Sequence, residues 1–150
     1  MAVSNKAYGL FAKHLAMGHI PWKASAGASV KCALLLNTYE PSLDEDEVFG
    51  DVSAYEVSAD GTGYTAGGVA CALSDPTQGL GIVSLDLADA EWAELTLTAR
   101  YAVFYAVSAT AGERYLIALC DFGEDKAPSA EPFKARVSVD GAIQLAASRT

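Results

Sequence analysis

The sequence predicts a mainly β domain, an antiparallel β-sandwich of immunoglobulin-like or jelly-roll-like form with a short N-terminal helix. Three observations lead there. Apolar residues alternate at period two through much of the chain after Val30, turn-forming clusters interrupt them at short intervals, and helical periodicity is confined to the first 17 residues and one acidic stretch. The 150 residues suit one hydrophobic core, read as an N-terminal helix or arm over 1–27 and a sandwich over 28–150.

The first element is a helix over 5–17, because Tyr8, Phe11, Ala12 and Leu15 recur at spacings of three and four and so share one face. Gly18 suits its end, and Pro21 blocks continuation into the loop 23–29. Val30, Cys32, Leu34 and Leu36, with Ala33 and Leu35 between them, read as a strand buried on both faces. Asn37–Pro41 breaks it. Ser42 and Glu45 then stand at capping-box spacing ahead of Val48 and Phe49, which predicts a short helix or helical turn.

A short strand is expected within 51–57, then a glycine-rich loop over 61–68, strands over 69–73 and 82–87, and a turn over 74–79 between them. The clearest alternation runs from Glu94 to Tyr105 and predicts one long strand, half exposed and then buried. After a turn at 109–113, Tyr115–Phe122 is an almost continuous apolar strand, and 123–132 a polar loop. Phe133–Val139 alternates again, and Asp140-Gly141 predicts a hairpin into 142–145, with a frayed tail from Ala146 to Thr150.

Composition limits what such a domain does. Ten Lys+Arg against nineteen Asp+Glu leave a net charge of −9, which disfavours a nucleic-acid partner, since that affinity rests on cationic side chains. No apolar stretch approaches the ~20 residues of a membrane-spanning helix, and the N-terminus lacks the pattern of a secretory signal. Cys32, Cys71 and Cys120 lie far apart in apolar runs. They are expected as reduced, buried thiols of a chain folded in a reducing cytosol.

No motif specifies chemistry, so no catalytic residue, cofactor or metal site is expected. The acidic run Asp44–Asp51 fails the calcium-loop pattern, because counting from Asp44 the glycine place holds Phe49 and the terminal glutamate place holds Tyr55. Gly61, Gly63, Gly67 and Gly68 lack the Gly-Lys-Ser/Thr of a phosphate loop and precede a strand, so a sharply turned loop at positive φ is the expectation. His14 and His19 have no nucleophile elbow to serve. Trp22, Trp92, Tyr39, Tyr55 and Tyr64 form either a sugar-binding face or core and subunit contacts.

One resemblance goes further. Asn37-Thr38-Tyr39-Glu40-Pro41, Phe49-Gly50-Asp51-Val52, Glu56-Val57, the run Gly61-Thr62-Gly63-Tyr64-Thr65-Ala66-Gly67-Gly68-Val69, Trp92, Thr98-Ala99-Arg100-Tyr101-Ala102-Val103 and Asp121-Phe122-Gly123 resemble a family of small virion proteins of tailed bacteriophages. Phe133-Lys134-Ala135 and Asp140-Gly141-Ala142-Ile143 are similar to its closing strands. The likeness covers about two thirds of the chain; the cysteines and N-terminal segment lie outside it. It implies a structural protein and not an enzyme: a capsid decoration (cement) protein, made in the bacterial cytoplasm and carried on the virion surface. Its implied partners are the major capsid protein and further copies of itself, as a dimer or trimer. A tail-associated protein and a surface glycan-binding module are the alternatives. The apolar stripe Tyr8, Phe11, Leu15, Ile20 and Trp22 is the candidate partner-binding surface, with capping of the sandwich core as the competing reading.

Overall fold

The computed structural model describes residues 4–20, 22, 29–107, 113–136 and 143–146. The expected stop at Pro21, the loop 23–28 with the proposed domain boundary, the turn at 109–112, the hairpin Asp140-Gly141 and the tail from 147 lie outside those residues.

The protein is mainly β and antiparallel, with one short helix near the N-terminus. Strands β1 (Ser4–Ala7), β2 (Ser29–Leu35), β3 (Val69–Cys71), β7 (Ala99–Val107) and β8 (Arg114–Lys126) form a five-stranded sheet in the order β1-β8-β7-β2-β3. Strands β4 (Thr77–Gly79), β5 (Ile82–Leu85) and β10 (Ile143–Ala146) form a three-stranded sheet, β10-β5-β4. Strands β6 (Ala90–Leu95) and β9 (Glu131–Ala135) form a two-stranded ribbon.

The large sheet is buried on both faces, as the apolar run at 30–36 implies. Cys32 and Leu34 of β2, Ala102, Phe104 and Ala106 of β7, and Cys120 and Phe122 of β8 face one core, shared with Leu85, Trp92, Leu95 and Ala135 of the smaller sheets. This gives the sandwich-like packing. Ala33, Leu35, Val103, Tyr105 and Leu119 face a second core, closed by Tyr8, Tyr39, Phe49 and Val52. Irregular chain, not a second sheet, covers that side.

A bulge serves both cores. Phe104 pairs with Ala118 but Tyr105 with Leu116, so Ile117 is an extra residue on β8. Strict alternation would turn Ile117 and Ala118 to opposite faces, yet both pack in the first core.

Several expectations are corrected. The predicted helix over 5–17 begins only at Gly9: α1 spans Gly9–Ala16, and Ser4–Ala7 is an edge strand registered on β8 from Ser4↔Asp121 to Ala7↔Ala118. The expected strand within 51–57 is instead a pair of 3-10 turns, Phe49–Asp51 and Ser53–Tyr55, with one bridge from Glu56 to Leu35. The long strand expected over 94–105 is two, because the backbone N–H groups of Thr96 and Leu97 donate to Thr62 and Pro128 carbonyls at 2.9 and 3.2 Å, outside both strands. There the chain leaves the β6–β9 ribbon and enters the large sheet. The predicted turn over 74–79 contains β4, and the turn itself is Leu80-Gly81. The polar loop expected over 123–132 shrinks to 127–130, because β8 continues to Lys126. Finally, β9 pairs with β6 and β10 with β5, so among the described residues the two strands expected to form the last hairpin go to different sheets.

Candidate functional site

The N-terminal stripe packs against the chain's own core. Phe11 is 1% exposed, Tyr8, Ile20 and Trp22 are also buried, and Leu15 packs on the core edge. Phe11 meets Trp22 edge-to-face at 5.8 Å, and the Trp22 indole N–H donates to the Ser74 carbonyl at 3.0 Å. The Tyr8 N–H extends the β1–β8 pairing by donating to the Ile117 carbonyl at 3.0 Å. Residues 4–20 therefore belong to the same packed unit as the sandwich, and of the two readings of the stripe the burial matches capping of the core.

His14 and His19 close the end of this segment. Nε2 of His14 lies 2.6 Å from a Glu47 carboxylate oxygen, and its Nδ1 lies 3.0 Å from Nδ1 of His19. Each ring nitrogen of His14 thus has a hydrogen-bonding neighbour, Glu47 at Nε2 and His19 at Nδ1. Both rings stack on Tyr115, at centroid separations of 4.0 and 5.5 Å. With both ring nitrogens of His14 occupied and its side chain buried, the cluster acts as a clasp between α1, the segment 36–57 and β8.

The acidic run 44–51 is engaged in backbone structure. Asp46 accepts from the Tyr39 hydroxyl at 2.6 Å and from the Ser42 N–H at 3.1 Å, while Asp51 accepts from the N–H groups of Glu47 and Val48. Such bonds compete with a continuous helix, so of the expected short helix or helical turn the chain forms the turn, with the Asp46 N–H donating to the Ser42 carbonyl at 2.9 Å. Tyr8 and Tyr39 join the network at 2.9 Å, and burial holds both hydroxyls protonated well above the ordinary tyrosine range.

The glycine-rich run is a lock on the large sheet. Gly61, Gly63, Gly67 and Gly68 all have positive φ, as expected of a turned loop. A Cβ on Gly68 would lie 1.7 Å from the Cys32 carbonyl oxygen, and one on Gly63 would lie 2.3 Å from that of Glu94. Tyr64 donates to the Glu56 carboxylate at 2.5 Å and accepts from the Leu34 N–H at 3.2 Å. Glu56 also accepts the Gly67 N–H at 2.7 Å, and the Tyr105 hydroxyl donates to the Gly67 carbonyl at 2.6 Å. The loop thus ties β2 to β7 from outside the ladder. The sequence singled out the loop, and the resemblance includes Glu56, but no spacing rule pairs that carboxylate with Tyr64 and Gly67.

Trp92 and Tyr64, the leading candidates for a sugar platform, are 5% and 3% exposed and lie tilted at 6.3 Å from one another in the core. Tyr39 and Trp22 are buried as well. An exposed aromatic face does not form from these residues, so the glycan-binding alternative loses its motive.

The cysteines are unbridged and buried, as expected. Burial pushes the Cys71 thiol up to about 11 and Cys120 to about 12, so both are protonated and weakly nucleophilic at neutral pH. Among the described residues no group of three His, Cys, Asp or Glu side chains could hold a metal ion, and no helix is long and apolar enough to cross a membrane. On β7 and β8, Arg100 donates to Asp121 at 2.9 Å. Burial alone would raise the Asp121 carboxyl, but Arg100 and the Gly123 N–H hold it below the usual carboxylate range.

The described residues also leave open hollows at the surface, two of which adjoin. A cavity of about 510 Å³ lies over the β6–β9 ribbon, lined by Glu91, Trp92, Ala93, Pro132, Phe133 and Lys134. A second of about 240 Å³ shares Phe133 and Lys134 with it and adds Lys126 and Arg136. Elsewhere the β4–β5 hairpin projects Leu80, which is completely exposed. No family model, no curated protein and no solved structure matches the chain.

Proposed function

We propose that this protein is a structural component of a tailed-phage particle, a decoration protein that adheres to the assembled lattice of major capsid protein and stabilises the head. The observation that supports this reading most is the place of the residues that carry the resemblance. Tyr64 and Gly68 meet β2, Gly67 meets Tyr105 of β7, Gly63 packs on Glu94 of β6, Tyr101 to Val103 lie on β7 at the middle of the large sheet, and Asp121 pairs with Arg100 beside them. The residues that carry the resemblance are the frame of the domain, as a common scaffold with variable surfaces would require.

A frame of this kind stabilises a shell by mass action, because a protein that binds only the assembled state shifts the equilibrium toward it. Many copies on a symmetric lattice add avidity. Docking through the stripe of Tyr8, Phe11, Leu15, Ile20 and Trp22 would require α1 to leave the core, so the surface offered to a shell lies elsewhere on the folded domain. The test is addition of purified protein to heads that lack it, followed by sedimentation and by release of packaged DNA on heating. Saturable binding with a raised release temperature is expected. Absence from purified particles, or heads that neither bind it nor gain stability, overturns the proposal.

A further inference from the structure

The tip of the β4–β5 hairpin combines exposure and strain. Gly79 pairs with Ile82, so Leu80 and Gly81 form a two-residue turn with φ of +54° and +81°. Such a turn needs left-handed backbone at both places, which favours Asn, Asp or Gly at the first. Leu80 instead carries a Cβ and no polar group to offset the strain, and the residue is completely exposed. Residues 76–85 contain no charge, although about one residue in five of the chain is charged, and Ile82 beside the tip is 37% exposed. A strained backbone that presents an unpacked apolar side chain is an outlier pointing to function.

The hollow over the β6–β9 ribbon fits such a knob. Phe133, Pro132 and Ala93 supply an apolar lining, and its volume of about 510 Å³ exceeds a leucine side chain. Lys126, Lys134 and Arg136 line it and the adjoining cavity, with Lys134 paired to Glu91 at 2.7 Å and Lys126 to Glu124 at 2.8 Å, so the rim is polar and largely charge-balanced around the apolar floor. Knob and hollow are therefore complementary in shape and polarity, an uncharged apolar tip facing an apolar floor whose rim lysines are already paired.

We propose that the hairpin of one copy inserts Leu80 into the β6–β9 hollow of a second copy, so that the protein assembles through a knob-and-hollow contact. The two surfaces differ, so the contact is head-to-tail and closes into a ring, or it is made twice across a two-fold axis. This goes beyond shell binding and does not depend on it, because self-association is read in solution without particles.

Sedimentation of the full chain from micromolar to millimolar concentration tests it, with Leu80→Gly removing the knob and Ala93→Glu filling the hollow from an exposed position on β6. The wild type should form a discrete oligomer, and each variant should weaken association by about tenfold or more. Leu80→Gly should also keep or raise the urea midpoint, since glycine adopts this backbone freely. Mixed Leu80→Cys and Ala93→Cys chains should form an intermolecular disulfide, the three native thiols being buried. A wild type that stays monomeric throughout overturns the contact. So does an oligomer that neither variant weakens, and if Leu80→Gly loses only particle binding, the knob belongs to the shell.

Discussion

Gly68 shows how much one residue contributes to this fold. Its backbone passes so close to β2 that any side chain meets the Cys32 carbonyl, and its φ of +86° is itself unfavourable for an L-residue. Gly61, in the same loop, has φ of +68° but open space around its Cβ position. The two separate conformational strain from steric exclusion. Gly61→Ala should cost about 1–2 kcal/mol, whereas Gly68→Ala should cost ~3 kcal/mol or more because strain and overlap add. Urea denaturation of both variants checks this, and equal midpoints would show that the lock on β2 is not what the close approach implies.

Among elements, the N-terminal segment is the one whose role changes most between sequence and structure. Its stripe reads as a docking surface only while the neighbours are unknown. In the folded chain β1 completes an edge of the large sheet, and α1 sets Phe11 against Trp22 and His14 against Tyr115. Phe11→Ala should therefore cost ~3–5 kcal/mol, the range for deleting a buried aromatic. Met17→Ser, six residues on at the helix end and 57% exposed, should change stability by no more than about 0.5 kcal/mol. Thermal melts of the two variants decide it. Comparable small effects would mean that α1 is not part of the core.

The whole molecule has a pH dependence on its alkaline side. Cys71 and Cys120 are raised from 9.0 to about 11 and about 12, and burial raises Tyr8, Tyr39 and Tyr64 above the ordinary tyrosine value. An unfolded chain releases these protons first, so above about pH 9 it binds fewer protons than the folded chain and stability falls as pH rises. The contribution is fully present below that point and is lost progressively through pH 9–12. The urea midpoint should be clearly lower near pH 10.5 than near pH 8, at matched ionic strength. Identical midpoints would place these groups in contact with solvent. On the acid side, Asp121 works in the opposite direction: its contribution is present at neutral pH and declines as its carboxylate is protonated.

The β-rich class, β2 with two buried faces, the buried cysteines and the turned glycine loop all followed from the sequence, because each depends on local periodicity or on backbone freedom that one residue type supplies. Only the tertiary structure decided where each apolar face was covered. It turned Tyr8, Phe11, Ile20 and Trp22 inward, took Trp92 and Tyr64 out of any exposed aromatic face, and joined Glu56 to Tyr64 and Gly67. It also split the expected strand at 94–105, because the donors of Thr96 and Leu97 find carbonyls more than thirty residues away in sequence. Periodicity states that a side chain needs a partner. Which partner meets it, and whether anything does in the case of Leu80, depends on chain segments distant in sequence, whose contacts form together only when the domain closes.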